Sequence, residues 1–133
     1  MSVNATVFVV DNDPAVRDSL TLLLEQEQIA VETFDSAEAF LATCQSVPRS
    51  CAIINLRTPG MDGIRLQAEL AKRSLTLPVI FLTGHSDFPK SVRAINAGAV
   101  DFLTNPVTAH GLIKTVQAAL LESDGANLQF DAN

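Results

Sequence analysis

The sequence predicts a doubly wound (βα)5 domain on a five-stranded parallel sheet. Short β-branched apolar runs alternate with longer amphipathic stretches along the chain, the pattern of an α/β protein with a parallel sheet. Two of the runs, "TVFVV" and "CAII", are almost wholly apolar, as central strands covered by helices on both faces must be. Both then end in polar groups, "DND" and "N", at the carboxyl edge, where open α/β sheets bind ligands at the topological switch point.

The strands are expected at 6–10, 30–34, 51–55, 78–82 and 100–103. Between the first two, Pro14 to Gln26 sets Val16, Leu20, Leu23 and Leu24 at helical spacing, with Asp13 as N-cap and Pro14 at the first helical position. Ser36, followed by Glu38 and Ala39, opens a second helix that ends before Pro48. Gly63 to Arg73, Asp87 to Ala97 and Thr108 to Leu121 supply three more, Gly98 closing the fourth in the left-handed position that favours glycine after a helix. Residues 1–121 form the domain. Residues 122–133, polar and acidic, read as a frayed tail or the start of a linker.

With 133 residues, 47% of them hydrophobic, the chain has enough apolar material for one core. Nine basic against fifteen acidic residues give a net charge of -6, which argues against nucleic-acid binding by this domain. Cys44 and Cys51 have neither zinc-site nor redox-motif spacing and read as reduced thiols. The N-terminus lacks a basic leader pattern and no apolar run approaches membrane-spanning length, so the expectation is a soluble, cytoplasmic protein without membrane contact.

Asp11, Asn12, Asn55, Thr83 and Asn105 all follow strands and are expected to converge on one crevice. A nucleotide or flavin site would need glycines and backbone amides after the first strand, where this chain has Asp11 and Asp13. "VVDND" also resembles the haloacid-dehalogenase phosphotransferases, with Asp11 as nucleophile and Asp13 as general acid. That chemistry needs a lysine and a later acidic pair for magnesium, yet the acid of the last strand, Asp101, stands at its beginning, the wrong edge.

"VFVVDNDPAVRDSL", "NLRTPGMDG", "LPVIFLTGH" and "AGAVDFLTNP" resemble, in order and spacing, the successive motifs of response-regulator receiver domains from two-component phosphorelay systems. The resemblance covers Val7 to Leu121, is nearest in flavour to receivers of the LuxR/FixJ type, and implies flavodoxin-like topology. It also implies roles. Asp11 is the first acid, Thr83 the switch hydroxyl, Phe102 the switch aromatic and Pro106 the cis-proline. The second acid is replaced by Asn12, the phosphoacceptor by Asn55 and the lysine by Asn105, while Arg57 stands where a backbone carbonyl contributes to the metal.

Those three departures all fall in the crevice. An amide is not a usable nucleophile toward phosphorus. Asp11 alone remains of the carboxylates expected to hold magnesium, so metal binding is expected to be weak or absent and no cofactor is implied. Asp13, a substitute ligand in principle, reads first as a helix cap. Neutralising two acids together with the lysine leaves a nearly neutral hydrogen-bonded cluster and no stranded cation. The sequence therefore predicts a pseudo-receiver. It is expected not to be an enzyme, and to control an output, transcription in receivers of this flavour, through protein contact or dimerisation. Analogy places the contact on the face of the helix at 87–97, the last strand and the last helix, with Lys90, Arg93 and Asn96, and puts a DNA-binding domain after the tail if the chain is a fragment. The competing reading is a conventional receiver phosphorylated on Asp11, on Asp13, or on Asn55 after deamidation, which Leu56 should slow. His85 and His110 read as solvated, and Phe88 as packing or partner-facing.

Overall fold

The computed structural model describes residues 5–44, 48–56, 60–75, 77–84, 101–104 and 107–132. The expected helix at 87–97, with Phe88, Lys90, Arg93, Asn96 and Gly98, lies outside the described residues, as do Arg57, His85, Asn105 and Pro106. Strands β1 (Thr6–Val10), β2 (Ala30–Phe34), β3 (Ser50–Asn55), β4 (Val79–Thr83) and β5 (Asp101–Thr104) form one parallel sheet in the order β2-β1-β3-β4-β5. The chain reverses its direction of travel across the sheet between β1 and β3, which makes their carboxyl ends the switch point.

Successive strand residues face opposite sides, and the core divides accordingly. Phe8, Val10, Ala52, Ile54 and Phe81 pack on α2 (Ala37–Thr43) and α3 (Gly63–Lys72) through Phe40, Leu41, Leu66 and Leu70. Val7, Val9, Cys51, Ile53, Ile80 and Leu82 pack on α1 (Pro14–Glu25) and the last helix (Ala109–Ala132) through Leu20, Leu24, Leu112 and Val116. The apolar runs of β1 and β3 are thus explained by helices on both faces. Among the described residues no helix is long and apolar enough to cross a membrane.

Helix starts follow local chemistry. Asp13 accepts from the Ala15 amide at 2.9 Å, Ser36 from Ala39 at 3.0 Å and Asp62 from Arg65 at 2.9 Å. Thr108, expected as the first residue of the last helix, instead caps it, its Oγ1 accepting from Gly111 at 3.0 Å. That helix continues to Ala132, past the Leu121 end that the sequence pattern suggested. Pro78 has no N–H and precedes β4, its carbonyl accepting from Ala52 at 3.0 Å.

Candidate functional site

Parallel pairing sets Val10 beside Ile54, which brings the next residues, Asp11 and Asn55, together at the carboxyl edge. Asp11 is only 1% exposed. A carboxylate that deep needs hydrogen-bond donors, and two are supplied. The Asp13 amide donates to Oδ1 at 2.9 Å, and Asn55 Nδ2 donates to Oδ2 at 2.9 Å. The nitrogen end of Asn55 must face Asp11, because two oxygens at that distance would repel. An aspartate at 55 would replace that donor with a second carboxylate facing Asp11.

Arg17 completes this corner from the second turn of α1, its Nη1 donating to the backbone carbonyl of Asp11 at 2.6 Å. The sequence assigned Arg17 no role, although its place one helical turn past the Asp13 cap was a usable signal. Asn12 is exposed while its neighbour Asp11 is buried.

Thr83 is 3% exposed at the end of β4. Register pairs Asn55 with Leu82, so Thr83 lies one step beyond it on the same edge, opposite Thr104 of β5. Phe102, beside Phe81 in register, is half-buried and packs against the core on the α2 and α3 side. Asp101 begins β5, away from this edge.

The segment after Asn55 is held tightly. Leu56 N donates to Leu82 O at 2.9 Å, and Gly63 N donates back to Leu56 O at 3.1 Å. A Cβ on Gly63 would come within 2.7 Å of Phe81 Cε1 and 3.1 Å of the Asn55 carbonyl oxygen, so α3 can start this close to β3 only with glycine there. Gly60 has φ +81°, the left-handed region. Glu38, from the first turn of α2, reaches across to accept from the Met61 amide at 3.2 Å. Glu38 was legible as a helix-start acid, but not as a clasp on the loop beside Asn55.

Neither thiol joins the site. Burial alone pushes the Cys51 thiol up to about 12, while for Cys44 burial raises the pKa and the nearby Arg73 guanidinium opposes it. The two cysteines belong to opposite faces of the sheet.

The response regulator receiver domain family matches residues 7–117. Nodulation protein W of Bradyrhizobium diazoefficiens is 42% identical over 118 residues, covering 89% of this chain and 52% of its own length. The transcriptional regulatory protein FixJ of Azorhizobium caulinodans is 41% identical over 126 residues, covering 95% of this chain and 60% of its own length. The chain therefore spans a little over half the length of these curated relatives. Among solved structures, FixJ-N aligns with a TM-score of 0.83 at 37% identity over 90% of this chain and 95% of that one. The response regulator StyR aligns with a TM-score of 0.90 at 37% identity over 98% of this chain and 66% of that one. Sheet order, polar carboxyl edge and sequence similarity agree: the chain belongs to the response regulator receiver domain family, the signalling domains of two-component systems.

Proposed function

We propose that this receiver signals without being phosphorylated, acting as a pseudo-receiver that controls an output through protein contact or dimerisation. The hydrogen bond from Asn55 Nδ2 to Asp11 Oδ2 at 2.9 Å carries the reading. An acyl phosphate forms when a carboxylate oxygen attacks phosphorus, and the amide nitrogen at 55 has its lone pair committed to the carbonyl. That nitrogen also faces inward, occupied with Asp11. Asp11 is buried with both oxygens engaged, and the exposed Asp13 caps α1. The remaining carboxylates are therefore poorly placed as substitute acceptors.

The donor set fits magnesium poorly. A hard dication takes several oxygen ligands and gives up its water reluctantly. Here the group directed at Asp11 is an amide NH2, itself a donor, and Asn12 is neutral. No cluster of three or more His, Cys, Asp or Glu residues suited to a metal occurs among the described residues. The amide does in miniature what a cation would do at Oδ2.

The similarity to FixJ, a transcriptional regulatory protein, supports transcription as the controlled output. By analogy with other receivers, the proposed contact surface is the one carrying β5 and the last helix. The experiment is intact-mass measurement after incubation with magnesium and a small phosphodonor such as acetyl phosphate. The mass should not change, and millimolar magnesium should leave the amide resonances of Asp11 and Asn55 in place. A gain of one phosphoryl group that survives mild acid and is lost to hydroxylamine would overturn the proposal.

A further inference from the structure

Among the described residues β2 is the edge of the sheet and pairs with β1 alone. Ala30 N donates to Ala5 O at 3.1 Å, and Phe34 O accepts from Asp11 N at 3.0 Å, so Ala30, Glu32 and Phe34 turn their backbone groups toward β1. Alternation along the strand directs the N–H and C=O groups of Val31 and Thr33 outward. Three of the five β2 residues are exposed, whereas every β4 residue is buried.

Charge is distributed unevenly around this edge. Asp18, Glu25, Glu27, Glu32, Asp35 and Glu38 occur between residues 18 and 48, with no lysine, arginine or histidine among them, so this segment accounts for the whole net charge of -6. All six are exposed, on α1, β2, α2 and the turns that join them. Folded proteins guard open strand edges with charge, because an unguarded edge recruits other chains. A guard of one sign is selective. A second copy of β2 would set acid against acid, whereas a basic strand would meet complementary charge along its length.

We propose that the β2 edge is an interaction surface for an extended, lysine- and arginine-rich protein segment, which adds to the sheet as a sixth strand. Val31 and Thr33 supply backbone hydrogen bonds, and Glu27, Glu32 and Asp35 supply the preference for basic side chains. The surface is independent of the crevice at Asp11 and Asn55, and holds whether or not the domain is phosphorylated.

The test titrates the 15N-labelled chain with a short, capped peptide of alternating lysine and valine, with a glutamate and valine peptide as control. The basic peptide should give saturable shifts centred on Val31 and Thr33 and slow amide exchange there by about tenfold or more, as new strand hydrogen bonds require. The control should give none. Raising salt to about 0.5 M should weaken binding by about tenfold, since these charges are solvent-exposed. Two variants separate charge from strand pairing. The exposed double substitution E32K with D35K removes the charge preference, and Thr33→Pro keeps every carboxylate while deleting one outward N–H, a change that edge strands tolerate. Each should weaken binding about tenfold or more. The proposal is overturned by shifts spread over all the acids without protection at Val31 and Thr33, by absence of saturation, or by wild-type affinity in a folded Thr33→Pro variant.

Discussion

Replacing Nδ2 of Asn55 with oxygen would change one atom and reverse the sign of its contact with Asp11. Asn55→Asp should destabilise the domain at neutral pH by about 1–3 kcal/mol, because Asp11 Oδ2 loses its donor and gains a facing charge. Urea titrations of both proteins at neutral pH would measure the loss. Asn55→Ala should cost less, because it removes the donor without adding the facing charge. The sequence made the amide at 55 visible together with those at 12 and 105, and suggested a cluster among them. It did not show that the bond goes to Asp11, nor that Asn12 is exposed, because both depend on how β1 and β3 lie side by side. For Arg17 the sequence offers its place one turn past the Asp13 cap but not its partner, a backbone carbonyl that carries no residue identity.

Elements were easier to read than the contacts between them. Apolar runs located five strands and helical spacing located the described helices, because both signals come from burial on known periods. Their ends shifted where a residue could serve two purposes, as with Thr108, which favours helix by position but caps by chemistry, and Pro78, which favours strand by context but has no N–H. At the junction of β3 and α3 the structure permits a sharper statement. Gly63→Ala drives a methyl toward Phe81, which is fully buried and has no room to retreat, and toward the Asn55 backbone. The variant should lose about 1–3 kcal/mol in chemical denaturation, and its amide spectrum should change at Asn55 and Leu56. Glu38→Gln keeps a weaker acceptor for the Met61 amide, while Glu38→Ala deletes it. Hydrogen exchange at Met61 should therefore rise in the order wild type, Gln, Ala.

For the whole molecule, the two-sided core makes one pH effect calculable. Cys51 sits in the face formed with α1 and the last helix, and its thiol is raised from 9.0 to about 12. A thiol raised by folding leaves stability intact below the unfolded value of 9.0 and removes it as pH climbs toward 12, because the unfolded chain ionises first. At about 1.4 kcal/mol per pH unit the full window is worth about 4 kcal/mol. Comparing wild type with Cys51→Ala between pH 8 and 11 isolates this effect, and the advantage of the cysteine should erode steadily above pH 9. The lopsided acids give the domain a different whole-molecule property. With residues 18–48 carrying a charge of -6 and no basic residue, the margin around β2 is a surface of one sign. Near a cationic surface the molecule should turn that margin forward before contact, and an anion-exchange resin should retain it longer than a protein of equal charge evenly spread, a difference that fades once the Debye length falls to a few ångströms.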